Sequence, residues 1–210
     1  MTNYFPYGEV EIHYLSERDN ILAGAIRSIG MVYREVYPDL FTGLMRTMVG
    51  QQISSKAQKT VWKRLEDLLV TVTPLRILAA SGEELQKCGL SFRKVAYMQK
   101  AARQIAEGTL DMAAIPGMTD AEVSEALRHL EGVGRWTAEM LLLFALQRPD
   151  ILSYGDLGIR RGISLLYGYE ELSPQQFAQH RQLYSPYGSV ASLYLWEVSS
   201  GSQTKPTPLL

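Results

Sequence analysis

The sequence predicts an all-α fold, and three observations carry that expectation. Apolar residues recur at helical spacing, helix start and stop signals fall between them, and a single short segment alternates as a strand would. Phe41, Leu44, Met45, Met48 and Val49 follow i, i+3, i+4, i+7, i+8, and Val61, Leu65, Leu68 and Leu69 repeat the pattern. Thr73-Pro74, Ser173-Pro174 and Ser185-Pro186 each set an N-cap before a proline suited to the first helical position. Thr119 to Glu122 and Ser173 to Gln176 read as capping boxes, and Gly89 and Gly108 stand where helices should stop. About nine or ten short helices are expected from these signals, with Glu9 to Tyr14 (Val10, Ile12 and Tyr14 alternating) as the one strand. Helical patterning before and after the middle of the chain suggests a central unit flanked by elements from both termini. The polar, proline-bearing tail 201–210 is expected not to pack.

With 210 residues, 46% apolar and 20% charged, the chain has the material for one large domain or two small interlocked ones. Its longest apolar run, Met140 to Leu146, has seven residues, against the roughly 20 that a membrane-spanning helix needs. The amino terminus reads as no secretory signal, so the cytosol is the expected compartment. A single cysteine, Cys88, excludes a disulfide framework, a thiolate zinc site and an iron-sulfur cluster, all of which need several sulfurs. His13, His129 and His180 show no ligand spacing, so no metal is expected on side chains. The net charge of −1 hides an asymmetry: residues 41–110 hold eleven Lys/Arg against five Asp/Glu, and residues 111–170 hold five against nine. Such a distribution allows a basic face.

Residues 130–138 read Leu-Glu-Gly-Val-Gly-Arg-Trp-Thr-Ala. A dinucleotide fingerprint would need a preceding strand and a third glycine, but Ala121 to Leu130 patterns as helix and Thr137 holds the third glycine's place. What remains is helix, tight Gly-Val-Gly turn, helix. Glycines there permit positive φ and let backbone N–H groups approach an anion, and the second helix adds its positive dipole end. An ordinary αα-hairpin with a glycine turn is the plainer reading. Asp156 follows Gly134 by 22 residues in Tyr-Gly-Asp-Leu-Gly-Ile-Arg-Arg. By itself it reads as an N-cap. Beside a backbone-phosphate grip, however, a carboxylate could stabilise the sugar cation formed when an N-glycosidic bond breaks, or activate water.

These segments resemble the helix-hairpin-helix DNA glycosylase superfamily, and specifically its 3-methyladenine DNA glycosylase II branch in a compact form. The resemblance rests on Val49-Gly50-Gln51-Gln52-Ile53-Ser54, Gly89-Leu90-Ser91 with Arg93-Lys94, Gly134 to Glu139, Asp156 to Arg161, and Pro186-Tyr187 with Ser189-Val190-Ala191. It implies one glycosylase domain over residues 1–200, built as two interlocked subdomains, with the hairpin at about 121–147. It implies that Asp156 is the essential carboxylate. Gly132, Val133, Gly134, Arg135 and Thr137 would grip phosphate around a monovalent cation held by backbone carbonyls, with no other cofactor. Gln51, Gln52, Ser54, Lys56, Arg93, Lys94 and Ser189 would also contact DNA, Gln52 entering the gap left by a flipped nucleotide. Trp136, Tyr187, Met140 and Leu157 would wall the base pocket, where electron-rich rings suit a cationic alkylated purine. The expected partner is double-stranded DNA carrying alkylated bases, bound by a monomer.

Core packing is the plainer role for Trp136 and Tyr187, and a polar helix-start role for Gln52. Relatives that also cut the strand carry a Schiff-base lysine where this chain has Trp136, so the resemblance implies base excision alone. Met140, Leu157 and Gly188 replace an aromatic, an aromatic and a basic residue of some relatives, and Gly155 replaces a second acid. Two rivals stay open: a glycosylase for deaminated or oxidised bases, and a noncatalytic DNA-binding module.

Overall fold

The computed structural model describes residues 3–201, which form twelve α-helices, one 3-10 turn and an isolated antiparallel bridge between Tyr4 and Glu35. The expected tail lies outside the described residues, apart from Gly201, which ends the last helix in left-handed conformation. No described helix is long and apolar enough to cross a membrane. The chain divides into two compact units: residues 37–146 form one, and the segments before and after them form the other.

The central unit holds α3 (Leu40–Gly50), α4 (Ser55–Leu69), α5 (Pro74–Ala79), α6 (Gly82–Lys87), α7 (Phe92–Ala106), the 3-10 turn Ile115–Gly117, α8 (Asp120–Arg128) and α9 (Arg135–Phe144). Helix α9 is its buried centre, packed against α3 and α8 with Met140, Leu141, Leu142 and Leu143 each at most 4% exposed. Each such side chain stabilises the fold by about 2 kcal/mol relative to exposure. The stripe on α4 differs by one position from the periodic reading. Trp62 is buried with Val61, Leu65 and Leu69, while Leu68 is 38% exposed.

The other unit holds α1 (Glu9–Arg18), α2 (Asn20–Ile29), α10 (Leu157–Tyr167), α11 (Pro174–Tyr184) and α12 (Gly188–Ser200). A closed polar network lies inside it. Asp19 caps α2 through Ile21 N and Leu22 N, and accepts from the Tyr167 and Tyr184 hydroxyls, while His180 lies 3.2 Å from the Tyr184 hydroxyl and 3.3 Å from that of Tyr169. Burial pushes the His180 pKa down against the opposing pull of Asp19, and pushes the Tyr167 and Tyr184 hydroxyls up.

Three sequence expectations are corrected. Glu9 to Tyr14 is not a strand but the start of α1, because Glu11 reaches back to the Gly8 N–H at 2.8 Å and Leu15, one turn beyond, is fully buried. Val10, one of the alternating residues, is 68% exposed. Ser185-Pro186 does not open a helix: the peptide is cis, Ser185 ends α11, its Oγ donates to Asp150 at 2.6 Å, and α12 starts at Gly188. The count of twelve helices exceeds nine or ten because α5 and α6, six residues each, carry separate caps on Thr73 and Ser81 yet are too short to show a period. The other punctuation signals are where the residues put them: Thr73-Pro74 and Ser173-Pro174 start α5 and α11, and the Thr119 and Ser173 capping boxes are formed.

Candidate active site

The hairpin consists of α8, the turn 129–134 and α9. After α8 stops, Val133 N donates to Leu130 O at 3.1 Å, closing the turn, and Gly132 takes φ +83°. A Cβ at Gly132 would stand 2.4 Å from Tyr97 Cδ2, so glycine is required there by both conformation and space. Gly134 differs from the sequence reading: its backbone is extended at φ −91°, and nothing lies within 4 Å of where a Cβ would be. It is the N-cap of α9 and offers no side chain to the first turn, leaving the positive end of the helix dipole uncapped by that residue. The Val133 and Thr137 side chains are 6% and 3% exposed, so the turn presents backbone outward rather than these side chains.

Three side chains, one just after α3 and two on α7, support the turn. Gln51 Nε2 donates to Gly132 O at 2.9 Å and to Thr137 Oγ1 at 3.1 Å, tying the turn to the first turn of α9. The Tyr97 ring underlies Gly132, and Arg93 donates to the Tyr97 hydroxyl at 2.6 Å with its guanidinium 5.3 Å from the ring centroid. Arg135 pairs with Glu139 at 2.9 Å and remains 74% exposed. Gln51, Arg93, Tyr97 and Gly132 border a groove of about 440 Å³ that Gln52, Lys94 and half-buried Trp136 also line. Lys94 is turned inward: its ammonium donates to Val49 O and Gln51 O, both at 2.7 Å, and burial lowers its pKa. Gln52 is exposed at φ +59°, Ser54 caps α4 through Ala57 N, and Lys56 is exposed in the first turn of α4.

Asp156 belongs to the other unit and is the N-cap of α10, as its position before a helix suggests. It is 9% exposed, and its Oδ1 accepts from Ile159 N and from the Trp196 indole, both at 2.9 Å. Gly158 and Gly162, one turn apart on α10, allow that arrangement by admitting α12 closely. A Cβ on Gly162 would lie 2.3 Å from Leu195 O, and one on Gly158 would lie 2.7 Å from the Trp196 ring. Leu157 beside it is 72% exposed. Tyr187 is half-buried before α12, edge-on to Tyr14 with centroids 5.0 Å apart. Asp156, Leu157 and Tyr187 thus share one unit, whereas Trp136 and buried Met140 sit on α9 of the other.

Ser189 is corrected as a DNA contact. It is fully buried, its Oγ donates to Arg148 O at 2.5 Å and accepts from Ile151 N, and its N–H donates to Pro149 O. It anchors the irregular connection 148–152 to α12. Gly188 is fixed for a related reason, since a Cβ there would stand 2.8 Å from Asp150 Oδ1. Two supporting residues escaped the sequence reading. Tyr97 had a faint signal in its i, i+4 spacing from Arg93, whereas Trp196 lies 40 residues beyond Asp156 and had none.

The chain is 31% identical to DNA-3-methyladenine glycosylase 1 of Schizosaccharomyces pombe, across 94% of this chain and 90% of that protein. A DNA-3-methyladenine glycosidase of Bacillus halodurans superposes with TM-score 0.80 at 33% identity, covering 94% of this chain and 92% of that one. The S. pombe 3-methyladenine DNA glycosylase in complex with abasic DNA superposes with TM-score 0.84 at 25% identity, covering 94% of this chain and all of that one. The family profile of the HhH-GPD superfamily base excision DNA repair protein matches residues 45–186, and with its uncapped hairpin turn and buried Asp156 the chain belongs to that superfamily.

Proposed function

We propose that this protein is a monofunctional DNA glycosylase that binds double-stranded DNA as a monomer, flips an alkylated purine out of the stack and hydrolyses its N-glycosidic bond. The observation that carries the reading is Asp156: a nearly buried carboxylate whose Oδ1 is fixed by two donors, in a chain whose hairpin turn offers backbone N–H groups to a phosphate. Relatives named for 3-methyladenine support the substrate class.

The turn and the N-terminus of α9 hold a phosphate by backbone and dipole, fixing register without reading sequence. Alkylation leaves the purine cationic, so as the bond from the sugar to the base nitrogen breaks, the bonding pair leaves with the base, which departs neutral without a general acid. Positive charge grows on the sugar, and the Asp156 carboxylate stabilises it or takes the proton of the incoming water. Water supplies the new C–O bond and the product is an abasic site with the strand intact. The resemblance also assigns a monovalent cation to the turn. Its carbonyl oxygens are the hard ligands such an ion takes; Leu130 O and Gly132 O each accept one hydrogen bond and keep a second lone pair.

Strand cleavage would need an amine, and Trp136 cannot provide one. Lys94 reaches the same groove, but its ammonium is held by two carbonyls. Purified protein incubated with DNA carrying 3-methyladenine, 7-methylguanine, uracil or 8-oxoguanine should release the first two, leaving an intact, alkali-labile strand and no covalent adduct on borohydride treatment. Release of the last two alone would give the site to deaminated or oxidised bases, and a trapped adduct would overturn the monofunctional assignment.

A further inference from the structure

Lysines that meet phosphate extend into solvent, as Lys56 does. Lys94 does the reverse at two costs, desolvation of its ammonium and a cation in the first turn of α7, where the helix dipole disfavours it. Both costs are offset by one arrangement. Its Nζ donates to Val49 O, in the last turn of α3, and to Gln51 O, the first carbonyl of the following loop. Gln58 Nε2 donates to Arg46 O one turn earlier at 2.9 Å, so side chains from two other helices hold the last turn of α3. With its carbonyl held from behind, Gln51 extends its carboxamide to Gly132 O and Thr137 Oγ1. The next residues form an exposed tip: Gln52 sits in the left-handed region at φ +59°, which a non-glycine residue adopts only when its surroundings enforce it, and Ile53 is 39% exposed.

We propose that Lys94 is a positioning residue which, through Gln51, presets the 52–53 tip and couples it rigidly to the hairpin turn, so that the element entering the base stack and the element gripping phosphate act as one body. The proposal rests on the glycosylase reading above and adds a role to it. A tip held in place before binding makes extrusion of a stacked base easier, because its ordering is completed on folding rather than on contact with DNA. The benefit is largest where the base must be unpaired and unstacked, and small where it is already free.

The test compares Lys94→Met, Lys94→Arg and Gln51→Ala with wild type in single-turnover excision of 7-methylguanine, either paired with cytosine or opposite an abasic position. A 2-aminopurine neighbour reports unstacking independently of bond cleavage. Lys94→Met should lose about tenfold in excision rate and most of the fluorescence rise on the paired duplex, and less than about threefold opposite the abasic position. Lys94→Arg should restore most of the loss, and Gln51→Ala should share the paired-duplex defect, which keeps the test decisive if Lys94→Met does not fold. Equal losses on both duplexes, or a defect confined to binding with a flatter salt dependence, would overturn the proposal and return Lys94 to phosphate contact. If wild type excises nothing, the glycosylase reading fails, while the fluorescence comparison still decides whether Lys94 sets the tip.

Discussion

Replacing Asp156 by asparagine leaves an oxygen to which Ile159 N–H and the Trp196 indole can still donate, so the cap on α10 survives while the negative charge is lost. Base release should fall by about a thousandfold with DNA affinity and melting temperature nearly unchanged. A variant with near wild-type turnover would remove Asp156 from the chemistry. Trp196→Phe takes away one of the two donors and should cost about tenfold in turnover, in keeping with a hydrogen bond to a charged group. The double variant should be no slower than Asp156→Asn alone, since the indole acts only through the carboxylate. At the same scale the basic residues divide by direction. Lys56 points outward, and Lys56→Ala should weaken DNA binding similarly across sequences and reduce the salt slope by about 0.9. A slope equal to wild type would take Lys56 off the phosphate backbone.

Among the elements, the hairpin turn uses its two glycines differently. Gly132→Ala meets the Tyr97 ring and an unfavourable φ together and should destabilise the fold by about 2 kcal/mol or more, visible as a lower denaturation midpoint. Gly134→Ala meets open space and should fold normally while losing DNA affinity, because its methyl group would stand where a phosphate must come close. Equal affinity in that variant would argue that the turn grips nothing. From sequence the two glycines look alike, because the spacing carries the turn but not which side of it faces the protein. Start signals at Thr73, Thr119 and Ser173 were legible because caps act within four residues of chain. The same local grammar misread Ser185-Pro186, where Asp150, distant in sequence, takes the serine hydroxyl. It misread Glu9 to Tyr14 as well, since alternation over three apolar residues cannot reveal that Leu15 completes a helical face. Ser189 was misread as a DNA contact for the same reason: its acceptor on Arg148 and donor on Ile151 come from another stretch of chain. Long-range packing thus decides which side chains of the motif segments face outward, and spacing along the chain does not carry that information.

For the molecule as a whole, the buried network around His180 makes stability depend on pH. Burial holds the folded-state pKa of His180 below its ordinary value near 6.5, so the unfolded chain binds more protons below that pH and stability falls with acidification. Melting temperature should drop between about pH 7.5 and pH 5.5, and His180→Gln should flatten that dependence. An unchanged slope would assign the acid sensitivity to other groups. The division of the chain has a consequence of another kind, for the order in which the protein is made. Helices α1 and α2 leave the ribosome well before the helices they pack against, α10, α11 and α12, which follow residue 156. At about 5–20 residues per second, the apolar faces of Leu15, Leu22 and Ile26 wait on the order of ten seconds for their cover. The 37–146 unit is contiguous and its whole length is made within that interval, so translation completes it before the unit whose two segments flank it, and the α1–α2 pair stays uncovered meanwhile.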